Sequence, residues 1–425
     1  MRILLVSHKL APHSLGGVEV YTLNLARALQ AQHEVSVFYR HDKPGGPPYS
    51  EDDQDSDGIW THCISCNPIG LSASVAGQFF DTFVNQQIED SFVRFVDRFR
   101  PDLIHVQHVM GLSARLLLLA RRHGSPVILT LHDYWFLCGN SQLIWPDART
   151  CQGKAWGMNC VRCATAARFS SPLARWLRPV LAPLFLYRDH LVRQTALAAD
   201  LFISPSQFLI GQYVAAGFPS DRFACLENGI PVQRILQFAR QPPSGRLRVS
   251  FLGSLAWQKG IHILVEAFNG LPHDVACLRI WGDPTIFPDY AQRLRQTLTH
   301  PDAQLMGRLA NEEVGRALAD SDVMVVPSLW YENSPVVIQE ARAAGVPIVA
   351  SAHGALAEKI RHEVDGLLFP PGDVAALRQA LQRLINDPDL RFRLRQNTQP
   401  PMDMDEHVRR LEVLYRQLVP LKHTR

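Results

Sequence analysis

The chain has 425 residues, 47% of them hydrophobic and 20% charged, with a formal net charge of +3. That length favours two or three domains with a large core, and the near-neutral balance, with no basic run interleaved with aromatics, gives no footing to a nucleic-acid partner. The opening apolar run, Ile3–Val6, is too short for a signal-peptide core, and no run approaches the ~18 apolar residues of a membrane span. A cytosolic protein without a transmembrane helix is predicted, whose 8 cysteines read as thiols or metal ligands rather than disulfides.

The first pattern, "RILLVSHKLAPHSLGGVEVYTLNLARALQAQHEVSVFY", is an apolar strand (Ile3–Ser7), a polar loop ending in Gly16-Gly17, and an amphipathic helix with Val18, Tyr21, Leu25 and Leu29 on one face. A second strand follows at Glu34–Tyr39, completing a βαβ unit. Asp42–Gly58, rich in Pro, Gly and acid, is expected to be an exposed, mobile loop whose charges carry no role. Strands resume at Asp102–His108, Pro126–Asp133, Asp200–Ser206 and Phe223–Ile230, with a helix at Leu112–Arg122, and their alternation predicts a mainly parallel sheet. The pattern restarts at Leu247–Leu271, again strand, glycine turn and helix, after an expected linker at Asn228–Gly245. The predicted fold class is therefore α/β with two Rossmann-like halves, in which ligands bind at the carboxyl ends of the strands. Residues 1–227 form the first domain and 228–400 the second; the helix in 401–425 is amphipathic and able to pack back on either.

The most informative stretch is "WYENSPVVIQEARAAG", Trp330–Gly345. Ser334 reads as an N-cap, Pro335 as the first helical residue and Gly345 as the stop. The N–H groups of Val336 and Val337 then lie at the positive end of the helix dipole, which suits an anion. An acid beside a phosphate repels it, so Glu332, before the helix, and Glu340, within it, make sense as acceptors for the hydroxyls of a diol. By spacing alone, a capped surface helix with two unrelated acids remains open. Lys259, after "FLGSLAWQKG", stands where a cation neutralises phosphate. "GRLANEEV" (Gly307–Val314) and "SAHGALAEKI" (Ser351–Ile360) add two turns where backbone can approach a ligand.

Taken together, "GGVE", "HDYW", "NGI", "FLGSL…KG", "GRL" and "PSLWYENSPVVIQEA" through "GLLFPPGD" resemble glycosyltransferase family 4, the group 1 glycosyl transferases, along nearly the whole chain and most specifically over Phe251–Asp373. The resemblance implies a GT-B fold, two Rossmann-like domains facing across a cleft, and transfer of a sugar from a nucleotide-sugar, a UDP- or GDP-sugar, with retention and without a catalytic metal. The expected acceptor is a polysaccharide, a glycolipid or another lipid-linked glycan. It implies that Glu332 binds donor-sugar hydroxyls, Glu340 the ribose diol, and Lys259 the diphosphate together with the N–H groups after Ser334. Gly307 and Arg308 are placed near the base, with Gly354 and Glu358 at the cleft. Gly16 and Gly17 let backbone approach the diphosphate and acceptor, and His132 meets the sugar near the reacting carbon. Retention without a carboxylate nucleophile beside His132 suggests same-face attack, the departing phosphate oxygen taking the acceptor proton; Asp133 reads as structural. One departure stands out. The family pattern has "GRL" before the lysine, whereas this chain has Gly253-Ser254-Leu255, and Arg308 is the candidate to compensate. A nucleotide-sugar epimerase and a donor-binding protein with weak or lost catalysis are the competing functions.

Two further features stand apart. Cys138, Cys151, Cys160 and Cys163, spaced C-x₁₂-C-x₈-C-x₂-C, suit a structural zinc; an iron–sulfur cluster, free thiols or disulfides are the alternatives. Cys63 and Cys66 form a second C-x₂-C that reads as strand packing. Arg168–Gln194 mixes Trp176, Leu177, Leu181, Leu184, Phe185 and Leu186 with Arg168, Arg175, Arg178, Arg188 and Arg193. It suits either a membrane surface or a buried helix that Pro172, Pro179 and Pro183 break into short pieces.

Overall fold

A computed structural model describes residues 1–14, 16–43, 47–56, 58–67, 75–147, 149–165, 172–242 and 245–419. The chain divides into two compact units, Met1–Gly229 together with Met404 onward, and Ile230–Asp403.

The first unit is built on eight strands: β1 (Arg2–Ser7), β2 (Glu34–Asp42), β3 (Glu51–Ser56), β4 (Ile59–Cys66), β5 (Leu103–Val106), β6 (Val127–Thr130), β7 (Leu201–Ser204) and β8 (Phe223–Cys225). They lie in the order β3-β4-β2-β1-β5-β6-β7-β8. All neighbouring pairs are parallel except β3 with β4. β1 supplies four fully buried apolar side chains in a row, Ile3 to Val6, as a central strand covered on both faces must. The chain runs outward from β1 through β2 to β4 and returns to β5 on the other side. The strand order thus reverses between β1 and β5, where a doubly wound sheet opens a crevice at its carboxyl edge. The Met404–Leu418 helix belongs to this unit. Its His407 bonds the hydroxyl of Tyr21 on the Gly17–Gln30 helix at 2.7 Å, and its Tyr415 bonds His105 of β5 at 2.7 Å.

The second unit has six parallel strands: β9 (Leu247–Leu252), β10 (Ala276–Trp281), β11 (Ala303–Gly307), β12 (Val323–Val326), β13 (Ile348–Ser351) and β14 (Gly366–Phe369). Their order is β11-β10-β9-β12-β13-β14. Leu247, Val249, Phe251, Leu264 and Phe268 form the core on one face, and Met324, Val326, Ile338, Ala341 and Ile348 that on the other. Each such side chain contributes about 1.5–3 kcal/mol by leaving water. Here the reversal falls between β9 and β12, so the loops after those two strands meet.

Three expectations change. Asp42–Gly58 is not all loop: β2 runs to Asp42, and Glu51–Ser56 forms an edge strand antiparallel to β4. Its acids are not idle, because Glu51 pairs with Arg94 and Asp53 with His62 and Arg98; residues 44–46 and 57 of that stretch lie outside the described residues. The expected linker contains a short helix, Gln233–Leu236, that packs into the second unit. Pro179 and Pro183 do not break the long helix, which runs unbroken from Pro172 to Ala196. Four residues apart, they remove their bonds on one side, while Ala182, Arg188 and Val192 anchor the other by burial. Arg168 and the side chains of Arg175, Trp176 and Leu177 lie outside the described residues. No helix among the described residues is long and apolar enough to cross a membrane.

Candidate functional site

The second unit's crevice is assembled by two loops. After β9 the backbone turns at Gly253, whose N–H donates to the Trp281 carbonyl at 3.2 Å, and passes half-buried Ser254 into a short 3₁₀ turn, Trp257–Lys259. Gly260 ends that turn at φ +69°, and a Cβ there would overlap the Pro327 carbonyl oxygen, so only glycine lets the loops approach. Leu329 N–H donates to the Gln258 carbonyl at 2.8 Å and ties the second loop to the first. Between them Lys259 Nζ stands 2.6 Å from Glu332 Oε1, which also accepts from Ser328 Oγ at 2.7 Å. The ammonium lies 5.3 Å from the centre of the Trp330 ring. Glu332 is only 4% exposed, so its charge is held by these partners rather than by water.

The residues around this pair fall into place unequally. Gly354 opens the Gly354–Lys359 helix at φ +57°, and Ala355 N–H reaches the Glu332 carbonyl at 3.3 Å, so Gly354 belongs to the same cluster. Glu358, four residues on, is exposed. Glu340 is 4% exposed and does not meet Lys259; it accepts from Arg234. Burial pushes its carboxyl pKa up, and Arg234 opposes the shift. The cap differs from expectation. Pro335, extended at φ −61° and ψ 121°, is the N-cap, the helix spans Val336–Ala343, and Ser334 Oγ is buried without a hydrogen-bond partner. A proline in extended conformation delays the first helical residue by one, leaving the serine facing the loop. Val336 and Val337 nonetheless begin the helix, where N–H groups have no intrahelical acceptor. Gly307, at φ +82°, ends β11, its carbonyl accepts from Gly282 N–H at 2.9 Å, and Arg308 beyond it is exposed.

In the first unit three adjacent strands each lead into a histidine: His8 after β1, His108 after β5 and His132 after β6. His8 and His108 stack edge to face at 4.6 Å, and His8 Nε2 lies 3.5 Å from buried Glu19. His132 Nε2 donates to the Gln107 amide oxygen at 2.9 Å, and its ring meets Tyr21 at 5.3 Å. Burial, reinforced by His108, pushes the His132 pKa down to about 3, so the ring is neutral at pH 7. It offers hydrogen bonds, not charge. Asp133 accepts from Trp135 N–H at 2.7 Å and stands 3.2 Å from His108 Nε2. Gly16 and Gly17 are exposed at the start of the Gly17–Gln30 helix; a side chain at Gly16 would run into the Glu19 carboxylate, which Ser14 Oγ holds at 2.8 Å.

Sequence reasoning missed Arg234, Ser328, Trp330, Gln107 and the histidine pair His8 and His108. The repeated "VSH", "VQH" and "TLH" at strand ends was a readable signal for the histidines. Arg234 had none, since only the fold carries it to Glu340. Cys63 and Cys66 are buried on β4. Cys138, Cys151, Cys160 and Cys163 are unpaired thiols, and among the described residues no three His, Cys, Asp or Glu side chains converge closely enough to hold a metal ion.

Two Rossmann-like units, each with ligand-facing loops at its strand-order reversal, define a GT-B protein. The family models agree: residues 15–234 match "Glycosyltransferase Family 4" and residues 232–400 "Glycosyl transferases group 1". The chain belongs to this family and is a glycosyltransferase. It is 25% identical over 397 residues to glycogen synthase of Mycobacterium tuberculosis, covering 91% of this chain and 87% of that one. It is 29% identical over 196 residues to the amylovoran biosynthesis glycosyltransferase AmsK of Erwinia amylovora, covering 44% and 47%. Among solved structures, sucrose-phosphate synthase from Thermosynechococcus elongatus superimposes with a TM-score of 0.68 at 22% identity, over 98% of both chains. HepE of Anabaena, in complex with UDP and glucose, superimposes at 0.66 and 19%, over 98% of this chain and 100% of that one.

Proposed function

We propose that the chain is a retaining glycosyltransferase that moves a hexosyl or related sugar from a nucleotide-sugar to a glycan or lipid-linked acceptor in polysaccharide or glycolipid synthesis. The observation that carries this reading is the pair of half-buried Lys259 and buried Glu332, 2.6 Å apart at the strand-order reversal of the second unit. A cation and a carboxylate side by side match a diphosphate ester of a sugar: the lysine takes the phosphates, with the N–H groups of Val336 and Val337, and the carboxylate takes ring hydroxyls. Glu340 takes the ribose diol. Neutral His132 hydrogen-bonds the sugar near the reacting carbon, and Gly16 and Gly17 leave room for backbone to approach. As the leaving group departs, charge grows on the diphosphate and these fixed donors stabilise it; a departing oxygen on the same face then accepts the acceptor proton.

The HepE complex with UDP and glucose supports a UDP-sugar first, with a GDP-sugar as the second candidate. Arg308 stands two strands from β9, about 10 Å across the sheet. That distance suits the base or the far phosphate better than the place left by Ser254. Unchanged donor affinity in Arg308→Ala would remove it from the site. Ser254, where the family pattern has arginine, favours the second reading, a donor-binding protein with weak turnover. On the Pro172–Ala196 helix, Val180, Leu184 and Tyr187 are exposed at i, i+4 and i+7, one apolar face. That face supports peripheral binding at the inner side of the cytoplasmic membrane, near a lipid-linked acceptor, which flotation with anionic vesicles tests.

The deciding experiment is calorimetric binding of UDP-, GDP- and ADP-sugars followed by product analysis with candidate acceptors, reading the anomeric configuration by NMR. Retention is expected. An inverted product sinks the mechanism, donor consumption without acceptor turns the reading to an epimerase, and binding without turnover to the second reading. No binding of any nucleotide-sugar sinks the donor assignment.

A further inference from the structure

The segment between Cys138 and Thr165 is poorly held by its own packing. Its buried apolar side chains among the described residues are Ile144 and Val161, while Trp156 is 87% exposed. Its backbone is also costly. Ser141, Leu143, Ala155 and Trp156 all have φ between +45° and +64°. Left-handed conformations in non-glycine residues cost roughly 1–2 kcal/mol each, and none of these four is the Asn or Asp that tolerates them best. A segment this short of core is the kind that a cross-link or a metal completes.

Its four cysteines stand on three different local elements. Cys138 closes a turn, its N–H donating to the Tyr134 carbonyl at 2.7 Å. Cys151 sits at the base of a hairpin, beside the Ile144–Thr150 bridge, with its N–H on the Leu143 carbonyl at 2.8 Å. Cys160 and Cys163 lie three apart on the Met158–Thr165 helix and share one face. The Asn140 amide stands between two of the sulfurs, accepting from Cys138 Sγ at 2.8 Å and donating to Cys163 Sγ at 3.4 Å. Burial, then Asp189 and Cys138, pushes the Cys160 thiol up to about 12, and burial with Cys138 and Cys151 pushes the Cys163 thiol up to about 11. Left alone, these two thiols stay protonated at neutral pH.

We propose that Cys138, Cys151, Cys160 and Cys163 bind one structural zinc ion. A turn, a hairpin base and a helix face supplying four thiolates is a donor set that zinc takes tetrahedrally, without redox change. Binding breaks four S–H bonds and releases four protons to solvent as four zinc–sulfur bonds form. No three of these thiols stand at ligand spacing, so binding requires the Asn140 amide to leave and the sulfurs to close around the ion. Tyr134, Trp135 and Phe136 are already buried; the ion then fixes what packing does not, Cys138–Ser141, and ties it to the hairpin and the helix. Lys154 joins the segment to the long helix through Asp189 at 2.7 Å, which places the closed site against a fixed support.

The test is elemental analysis of the full chain, purified without chelator, together with thiol titration by an organomercurial. One zinc per chain is expected, released in step with four thiols, and Co(II) in its place should give the intense visible bands of a tetrahedral thiolate site. Cys160→Ser and Cys163→Ser should lower zinc content at least about tenfold, while Cys277→Ser, in the second unit, should leave it unchanged. Should either serine variant fail to fold, the metal content and cobalt spectrum of the unaltered chain decide alone. Substoichiometric zinc with no cobalt bands after full reduction overturns the proposal. So does stoichiometric iron with an iron–sulfur spectrum, or a mass deficit showing disulfides among these four cysteines.

Discussion

Arg234→Met isolates the least expected contact in the second unit. Glu340 is 4% exposed and the Arg234 side chain 17% exposed, so the pair sits largely out of water. Two unit charges about 4 Å apart at an effective dielectric near 20 attract by about 4 kcal/mol, and removing one partner of a buried pair costs about 3–5 kcal/mol. Water can reach part of the space the guanidinium leaves, which puts the expected loss at about 3 kcal/mol at pH 8. The sign with pH follows from the raised Glu340 pKa. Without Arg234 the shift grows, because the opposing charge is gone. The folded state then holds a proton that the unfolded state has released, so stability falls as pH rises through the folded value and recovers toward pH 5. Denaturant unfolding of wild type, Arg234→Met, Glu340→Gln and the double variant at pH 5.5 and 8 reads this directly. The double variant should recover most of the loss. A loss under about 1 kcal/mol in Arg234→Met at pH 8, or additivity within about 0.5 kcal/mol, would refute the argument that the two side chains hold each other in a dry environment.

Three other outcomes are expected. His8, His105, His132 and His407 all have pKa values lowered by burial, His132 to about 3 and His407 to about 4. The unfolded chain binds their protons as pH falls through about 6.5 while the folded chain does not. Each histidine therefore removes stability below that pH at a slope approaching about 1.4 kcal/mol per unit; a urea midpoint equal at pH 7.5 and 5.5 would contradict this. Gly260→Ala should cost more than about 3 kcal/mol, because it adds overlap with the Pro327 carbonyl to a left-handed φ. Gly345→Ala, at φ +62° with nothing within 4 Å, should cost about 1 kcal/mol, and thermal unfolding ranks the two. Lys259→Ala should weaken UDP binding by about 10- to 150-fold, the loss of a charge-assisted hydrogen bond; calorimetric affinity within twofold of wild type, as an order-of-magnitude threshold, would remove the lysine from the phosphate site.

What the sequence revealed, and what it hid, divides by whether the contact is local. Strand, glycine turn and helix repeat in each half, so the two Rossmann-like units were readable from periodicity, and "FLGSLAWQKG" placed Lys259 after a strand because that signal lies within ten residues. Glu332 and Glu340 read alike in sequence, as acceptors for hydroxyls beside one helix start, yet the structure gives them different partners, Lys259 and Arg234. Those pairings span 73 and 106 residues, and no local pattern carries such information. The cap at Ser334 failed for the opposite reason: the local rule was sound but two residues competed for it, and Pro335 in extended conformation took the position. Asp53 and Glu51 looked like a solvated acidic loop because their partners, Arg94, Arg98 and His62, come from a helix and a strand met only in the folded sheet.

The second unit carries a self-neutralised site, and on the proposed function this bears on how a donor engages it. Each acid expected to meet a sugar or ribose hydroxyl already holds a cation: Glu332 has Lys259 and Glu340 has Arg234. A diphosphate that takes Lys259 leaves Glu332 buried with Ser328 Oγ alone, and a lone buried carboxylate is costly. Sugar hydroxyls repair that loss by donating to the same oxygens. A nucleoside diphosphate without its sugar takes the lysine but supplies no donors to the glutamate. The pairing therefore couples the phosphate and sugar contacts. Glu332→Gln should narrow the affinity gap between UDP-sugar and UDP, because the neutral amide no longer needs the repair. An unchanged gap in calorimetry, with UDP binding itself intact, would show that Lys259 and Glu332 act independently and that their 2.6 Å contact is only the resting arrangement of two side chains.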